Sequence, residues 1–377
     1  MRIALVRQRY NPFGGAERFV ERALEALERG GAEVTLIARE WSDAGARRVL
    51  KVDPPYIGSV WRDAGFARAA RAAWSREGFD LVQSHERIPG CDVYRAGDGV
   101  HRQWLAYRLV GASRFERLRV RANPYHCYVC EAERRMFEHP RLRAVICNSR
   151  MVREDILRHF RVAAEKLHVI YNGIDLQYFH PERRRALRAE ARSALGCGPE
   201  DTLFAFVGSG FERKGLGCAI DALALAGNAC MRLAAAGRDR AAARFAARAR
   251  AAGLDGRVRL LGGVQDVRPL FAAADCFILP TLYDPFPNAA LEALAMGVPA
   301  IVSRRCGAAE LVREGENGWI CEPDDPAGLA GLLRTAAEAA RAERMLPAAR
   351  ASAERFGIDD MAKTLSDLYT MLAARAA

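Results

Sequence analysis

Two features that the sequence lacks restrict where the protein works. The 377 residues contain no run of 18 or more apolar residues, so no transmembrane helix is predicted. Residues 1–6 read directly as a strand, without the basic and apolar stretches of a signal peptide. We therefore expect a cytoplasmic protein whose 10 cysteines stay reduced.

The cysteines include one pair whose spacing is typical of a metal site. Cys127 and Cys130 are three positions apart and follow His126. A structural zinc site needs four ligands, and no second Cys or His pair with suitable spacing follows in the sequence. Two half-buried thiols on a helix are therefore favoured over zinc, and no metal is expected.

The charge of the chain is positive. The 57 Lys and Arg residues outnumber the 46 Asp and Glu residues, which leaves a formal net charge of +11. Such an excess favours anionic partners, namely nucleic acid, phosphorylated substrates or an anionic membrane surface. The sequence has no recognised basic motif and no aromatic RNA-binding pattern, so nucleic acid is not expected among the partners.

Short β-rich runs alternate with Ala-rich helical runs, which indicates βαβ units, parallel sheets and, at this length, two α/β domains. A turn at 171–175 predicts domains 1–171 and 172–354, followed by a tail at 355–377. In that tail, residues 359–374 predict an amphipathic helix. The predicted strands are 3–6, 34–38, 80–83, 144–148, 167–171, 203–208, 231–236, 258–261, 276–280, 300–303 and 319–322.

The first candidate site is the pair Gly14 and Gly15, shortly after the first predicted strand. Glycine lets the backbone approach a ligand closely, and the N–H groups at the start of a following helix can bind an anion. The sequence lacks the Gly-x-Gly-x-x-Gly pattern of dinucleotide binding, and an ordinary Gly-Gly turn would look the same.

A second Gly-rich loop, which includes Gly208, follows the predicted strand 203–208 and carries Arg213 and Lys214 side by side. A departing diphosphate develops negative charge, which fixed cations stabilise. The chain contains no Asp-x-Asp pair, so the two cations would have to replace a bridging metal. The alternative is a solvated cation pair at a helix start, a position that the helix dipole disfavours for cations.

The third motif carries two carboxylates, Asp284 in a loop after a strand and Glu292 on the helix that follows. Residues 288–291 are predicted to form the first helical turn, whose N–H groups can point at a ligand. Asp284 is suited to hold sugar hydroxyls, and Glu292 to accept both hydroxyls of a ribose. Alternatively, Asp284 is only a helix-start residue and Glu292 a paired surface carboxylate.

In this order the three motifs resemble those of the retaining glycosyltransferases of family 4. The resemblance covers nearly the whole chain, and the pattern Pro-Gly-x-Asp-Val-Tyr-x-Ala-x-Asp at 89–98 is similar to the lipopolysaccharide core glucosyltransferases of that family. It implies the GT-B fold. In this α/β fold, two Rossmann-like domains face each other across a cleft, and a C-terminal helix crosses back to the N-terminal domain.

The resemblance also implies roles for single residues. The implied catalytic residues are Asp98, Arg213, Lys214 and Asp284. The implied donor-binding residues are Gly14, Gly15, Gly208, Arg213, Lys214, Asp284, Pro287, Asn288, Ala289 and Glu292. Many relatives have a functional histidine in the N-terminal domain, for which His101 and His85 are the candidates. The commoner family residue at position 284 is glutamate, which leaves the identity of the sugar open.

The implied function is α-retaining transfer of a hexose, with glucose from UDP-glucose as the first choice and a heptose of the lipopolysaccharide core, or a related glycolipid, as acceptor. No cofactor or metal is implied beyond the UDP-sugar. An N-acetylhexosaminyltransferase of cell-envelope polysaccharide synthesis and a nucleotide-sugar epimerase of the same fold are the alternatives. The expected partners are a phosphorylated glycolipid and the anionic inner face of the bacterial inner membrane, contacted through Trp61 or Trp104.

Overall fold

The structure, a computed structural model, describes residues 1–10, 24, 28, 31–41, 47–341 and 344–374. It divides into two compact units. The N-terminal unit comprises Met1–Gly173 and Asp359–Ala377, and the C-terminal unit comprises Ile174–Ile358. The chain thus enters the second unit after Gly173 and returns to the first after Ile358. The boundaries predicted from the sequence, after residues 171 and 354, differ from these by two and four residues.

The elements follow one another with alternating strands and helices through most of the described chain. The strands are β1 (Arg2–Val6), β2 (Arg9–Tyr10), β3 (Glu33–Ala38), β4 (Glu40–Trp41), β5 (Arg48–Lys51), β6 (Leu81–Ser84), β7 (Val93–Arg95), β8 (Ala144–Cys147), β9 (Leu167–Val169), β10 (Thr202–Val207), β11 (Met231–Ala236), β12 (Val258–Gly262), β13 (Cys276–Leu279), β14 (Ala300–Ser303) and β15 (Gly318–Cys321). The helices are α1 (Gly58–Glu77), α2 (His101–Arg108), α3 (Arg114–Arg121), α4 (Pro124–Phe137), α5 (Arg150–His159), α6 (Pro181–Ala194), α7 (Phe211–Lys214), α8 (Leu216–Ala226), α9 (Ala242–Ala251), α10 (Arg268–Ala273), α11 (Asn288–Ala295), α12 (Pro326–Arg341), α13 (Leu346–Ala353) and α14 (Ile358–Ala374).

The N-terminal unit is built on a seven-stranded sheet in the order β5-β3-β1-β6-β7-β8-β9, in which neighbouring strands run parallel. Each face of this sheet carries its own apolar cluster. On one face, Leu5 and Val93 pack with Leu365 and Leu368 of α14. The last helix of the chain therefore belongs to the core of the first unit, as the resemblance had implied.

The C-terminal unit contains a six-stranded parallel sheet in the order β12-β11-β10-β13-β14-β15. Its central strands β10, β13 and β14 are almost wholly buried. Strands buried on both faces are apolar runs rather than alternating ones, which is the pattern that the sequence shows. Both units are thus Rossmann-like, and the predicted α/β class is confirmed.

Several helices begin where a local side chain satisfies their first N–H groups. Asn123 accepts hydrogen bonds from the N–H groups of Tyr125 and His126, at 2.9 and 3.3 Å, and Pro124 follows at the first helical position of α4. Ser149 accepts from the N–H of Val152 at the start of α5. These caps explain why α4 and α5 start at the residues they do.

Each predicted strand overlaps an observed one, while the two-residue strands β2 and β4 and the strands β5 and β7 were missed. β7 has three residues, too few to show a period, and the edge strand β5 is largely exposed with no apolar run. The predicted helix at 359–374 is observed as α14, with Met361, Leu365 and Leu372 buried. Among the helices of the described residues, none is both long and apolar enough to cross a bilayer.

We expect Leu365→Ala to lower the free energy of unfolding by about 3 kcal/mol, because it leaves a cavity between α14 and the sheet. Leu365 is 1% exposed. The matched control Lys363→Ala alters an exposed residue of the same helix and should change little. Urea-induced unfolding measures both. Equal effects of the two substitutions would contradict the packing of α14 described here.

Candidate functional site

The Gly-rich loop after β10 depends on a close approach to the neighbouring strand. A Cβ atom at Gly237, just after β11, would lie 2.2 Å from the carbonyl oxygen of Gly208. The N–H of Gly208 donates to the carbonyl of Ala236 at 2.9 Å, so the ladder between the strands continues into the loop. Glycine is needed at position 237 because any side chain there would separate these two strand ends.

The short helix α7 is fastened to the loop that follows β13. The carbonyl of Arg213 accepts hydrogen bonds from the N–H of Leu282 and from the hydroxyl of Thr281, each at 2.9 Å. A Cβ atom at Gly215 would lie 2.0 Å from the carbonyl oxygen of Pro280, so only glycine allows this approach. Two segments about seventy residues apart in sequence are thereby held together at the carboxyl edge of the sheet.

Lys214 and Asp284 form an ion pair between these two segments. Their side chains are only 12% and 7% exposed, so the pair is largely removed from water. Arg213 lies beside it and donates through Nη1 to the carbonyl of Tyr283 at 2.9 Å. Lys214 also packs along Gly208, where a Cβ atom would be 3.1 Å from its Cε. Four of the predicted site residues thus come together in the C-terminal unit.

The structure rejects the alternative of a solvated cation pair at a helix start. Arg213 and Lys214 are the last two residues of α7, Arg213 is half-buried and Lys214 is largely removed from water. Gly215 ends α7 and also precedes the longer helix α8, so the pair lies at the junction of two helices, and its burial rather than the helix dipole argues against a solvated pair. What marks the pair is its burial and its carboxylate partner.

The two carboxylates of the third motif are both buried, each at 5% exposure. Asp284 lies four residues before the start of α11 and is fixed by backbone hydrogen bonds on both sides, to Arg305 at 3.1 Å and from Gly307 at 2.9 Å. It is therefore not a helix-start residue, and Glu292 within α11 is not a surface carboxylate. The residue before α11 is Pro287, which has no side-chain acceptor to cap Asn288 or Ala289.

In the N-terminal unit a buried carboxylate that the sequence did not single out organises the loop after β7. Glu133 of α4 is fully buried, pairs with Arg87 at 2.8 Å and accepts from the N–H groups of His101 and Arg102 at 2.7 and 3.3 Å. It thus caps α2, for which the preceding Val100 supplies no side-chain acceptor. Asp98 is an exposed residue of this loop. No sequence pattern marks Glu133, because its partners come from two distant segments.

His101 is the first residue of α2 and packs among Trp104, Tyr125 and His126. Its Nε2 atom lies 3.1 Å from Nδ1 of His126. Burial, then the nearby Arg87 guanidinium and His126, lower the pKa of His101 to about 3. The imidazole is therefore neutral near neutral pH, which suits a hydrogen-bonding group rather than a fixed cation.

The remaining candidates from the sequence are His85, the glycine pair and the cysteine pair. His85 lies at the carboxyl end of β6 in the N-terminal unit, and Gly14 and Gly15 lie outside the described residues. Of the cysteine pair on α4, Cys130 is half-buried but Cys127 is exposed, so the predicted burial holds for Cys130 alone. Within the described ranges, no group of three or more His, Cys, Asp and Glu residues is arranged to hold a metal ion.

Comparison with known sequences gives matches along most of the chain. A model described as Glycosyltransferase Family 4 matches residues 13–178, and one described as Glycosyl transferases group 1 matches residues 201–338. The lipopolysaccharide glucosyltransferase WaaG of Escherichia coli is 26% identical over 342 residues, 89% of each chain. A D-inositol 3-phosphate glycosyltransferase of Xylanimonas cellulosilytica is 27% identical over 395 residues, 96% of this chain and 93% of that protein.

Solved structures share the fold. The crystal structure of WaaG has a TM-score of 0.82 at 24% identity and covers 98% of this chain and 99% of its own. HepE of Anabaena, in complex with UDP-glucose, has a TM-score of 0.73 at 21% identity and covers 98% of this chain and 100% of its own. Two Rossmann-like units matching such structures define the GT-B fold, and the two matching sequence models identify a glycosyltransferase. The chain belongs to glycosyltransferase family 4, as its motifs had indicated.

We expect Lys214→Met and Asp284→Asn each to lower the free energy of unfolding by about 3 kcal/mol, because each leaves the other charge buried without its partner. The double variant should lose clearly less than the sum of the two, since neither charge remains. Urea-induced unfolding of the four proteins measures this. Arg313→Met breaks an exposed pair with Glu316 and should change little. Additive losses from Lys214 and Asp284 would show that the two side chains are not coupled.

Proposed function

We propose that the protein is a retaining hexosyltransferase that uses UDP-glucose and acts on a phosphorylated glycolipid, with a heptose of the lipopolysaccharide core as acceptor. The observation that carries this proposal is the buried Lys214–Asp284 pair beside Arg213 at the carboxyl edge of the second sheet. Ligands of open α/β sheets bind at that edge. The choice of a UDP-glucose donor is supported by two relatives: WaaG is named a glucosyltransferase, and HepE was solved in complex with UDP-glucose.

In this proposal Lys214 and Asp284 bind different parts of the donor. Breaking the bond between sugar and diphosphate places negative charge on the departing phosphate, which Arg213 and Lys214 stabilise. Asp284 holds the Lys214 ammonium in one position, so little side-chain entropy is lost when the phosphate binds. Asp284 and the first turn of α11, at Asn288 and Ala289, bind the hydroxyls of the sugar, and Glu292 binds the ribose.

Retention by attack on the same face as the departing phosphate fits this arrangement. The double-displacement route needs one carboxylate as nucleophile and a second as acid. Asp284 is paired with an ammonium group, which makes it a weak nucleophile. In same-face attack the acceptor hydroxyl passes its proton to the departing phosphate, and the protein supplies position and charge. We assign contact with the acceptor hydroxyl to Asp98, which is exposed after β7.

A second acceptor class has support from the relatives. The inositol phosphate enzyme of Xylanimonas matches over 96% of this chain, and its name specifies D-inositol 3-phosphate. Both acceptor classes combine a hydroxyl with a phosphate. Transfer of an N-acetylhexosamine instead of glucose stays an alternative for the donor, because the residues assigned to sugar recognition, Asp284, Pro287 and Asn288, do not select between the two sugars.

We expect UDP and UDP-glucose to raise the melting temperature without added metal, since a ligand at a hundred times its dissociation constant adds about 2.7 kcal/mol to stability. Arg213→Ala should lower the turnover rate by about a hundredfold, because it removes one cation from the leaving group. Differential scanning fluorimetry and a UDP-release assay measure the two effects. Arg313→Ala, at a highly exposed arginine of the same unit, is the control. No shift with any nucleotide, or normal turnover of Arg213→Ala, would defeat the donor-site assignment.

The helix α3 is the surface that suits contact with an anionic membrane. Its apolar side chains Phe115 and Leu118 are 76% and 67% exposed. The same short helix carries exposed arginines at positions 114, 117, 119 and 121. Exposed apolar groups flanked by cations are typical of helices that lie in the headgroup region of anionic bilayers. Of the two tryptophans predicted for this role, Trp61 is exposed, while Trp104 is half-buried against His101.

We expect the protein to float with vesicles that contain anionic lipid and to be released by high salt, because charge supplies part of the attraction. The variant Phe115→Ser/Leu118→Ser removes the apolar part and should reduce the bound fraction several-fold while leaving the net charge unchanged. Leu225→Ser, at a 57% exposed site of the other unit, is the control. Unchanged flotation of the double variant would exclude α3 as the contact surface.

A further inference from the structure

Three neighbouring strands of the N-terminal sheet end in basic residues at the same level. Val6 of β1 is in register with Ser84 of β6, and Ser84 with Tyr94 of β7. The next residue on each strand is Arg7, His85 and Arg95. The ladder continues at this level, because the N–H of His85 donates to the carbonyl of Val6 at 2.9 Å. Residues in register on parallel strands point to the same face of the sheet, so these three form one row.

A chain of hydrogen bonds that starts on the last helix fixes the state of His85. The hydroxyl of Tyr369 on α14 donates to Oε1 of Gln83, so the amide nitrogen of Gln83 is turned to His85. That nitrogen lies 2.8 Å from Nε2 of His85. Because an amide nitrogen can only donate, Nε2 accepts and the proton of the neutral imidazole resides on Nδ1.

The Nδ1–H group of His85 lacks an acceptor among the described residues. His85 is 9% exposed, so this donor is buried at the carboxyl end of β6. A buried donor without an acceptor costs about 1–3 kcal/mol, which a bound acceptor atom would recover. Burial, then the guanidinium groups of Arg95 and Arg7, lower the pKa of His85 well below its usual value, which keeps the ring neutral.

The two arginines of the row are held in place by their own contacts. Arg95 donates to Oδ1 of Asn172 at 2.8 Å, and Arg7 donates through Nε to the carbonyl of Arg9 at 3.0 Å. Burial, followed by the charge of the neighbouring Arg7, lowers the pKa of Arg95 to about 9. A multiply charged anion relieves that repulsion and accepts the histidine proton at the same time.

We propose that Arg7, His85 and Arg95 form a phosphate-binding row, in which Nδ1 of His85 donates a hydrogen bond to a phosphate oxygen of a substrate. The inference rests on the proposed function, whose substrates of both kinds carry phosphate. The phosphate belongs either to the nucleotide-sugar or to the acceptor, and the test below separates the two. Gln83 and Tyr369 are positioning residues, because they act only through the tautomer of His85.

The tautomer is measured directly by ¹⁵N NMR of the histidine-labelled full chain near neutral pH. The His85 signals are assigned from their loss in His85→Asn. The expected result is a neutral ring protonated on Nδ1, and Tyr369→Phe is expected to yield a mixture of the two tautomers because the Gln83 amide is no longer fixed. A His85 ring protonated on Nε2 in the unaltered protein would overturn the proposal.

Binding is tested with UDP and inorganic phosphate as probes, by calorimetry and by the shift of the His85 Nδ1 signal. The side-chain amide nitrogen of asparagine can take the place of Nδ1, whereas that of glutamine takes the place of Nε2. His85→Asn should therefore retain most of the affinity for phosphate, and His85→Gln should bind about tenfold more weakly. His139→Gln, in a turn of the same unit, is the control. Weaker UDP binding in His85→Gln assigns the phosphate to the nucleotide. Weaker binding of inorganic phosphate alone assigns it to the acceptor.

Failure of this proposal can be told apart from failure of the proposed function. If the unaltered protein binds UDP, and His85→Gln binds both probes as tightly as the unaltered protein, the row does not bind phosphate while the donor site stands. If no UDP binding is found in the unaltered protein, the donor-site assignment itself fails. An unaltered protein in which neither probe shifts the Nδ1 signal of His85 also overturns the row.

Discussion

Both units depend on a parallel sheet that is buried on its two faces. A strand in such a sheet cannot carry a charged side chain along its length, because neither face offers water or a partner. In the central strands of both sheets, charged residues occur only at or next to the strand ends. The basic row at the carboxyl ends of β1, β6 and β7 and the loop with Lys214 after β10 both occupy that position. The sheets therefore determine where chemistry can take place before any particular residue is chosen.

The charges that do enter the interior are held by partners from distant segments. Glu133 joins Arg87 to the start of α2, and Asp284 joins α7 to the segment after β13. An ion pair of this kind contributes little net stability, since its desolvation offsets its attraction. What it contributes is position, because each alternative arrangement of the loops would leave a charge buried alone. The loops of both units are thus fixed by the penalty for separating the pairs.

Features that depend on local patterns could be predicted from the sequence, whereas features that depend on distant partners could not. Buried strands such as β10 and β14 appear as apolar runs, and the face of α14 appears as a spacing of Met361, Leu365 and Leu372, since these signals are local. The burial of Lys214 with Asp284 depends on two segments meeting, and the role of Glu133 on three. The row of Arg7, His85 and Arg95 depends on register, which no local pattern records. Arg213 and Lys214 were recognised because adjacent cations in a glycine-rich loop are conspicuous, but their place at the end of α7 was not.

The C-terminal helix α14 links folding to the position of the proton on the His85 ring. Leu365 and Leu368 cover one face of the first sheet, and Tyr369 on the same helix donates to Gln83. Those partners are 286 residues apart in sequence, so the hydrogen bond forms only when the end of the chain has returned to the first unit. Until then the Gln83 amide can turn either way, and either nitrogen of His85 can carry the proton. The helix that completes the apolar core therefore also sets which imidazole nitrogen of His85 is the donor. A loss of apolar packing at α14 would displace the Tyr369 hydroxyl and thereby alter the tautomer of His85.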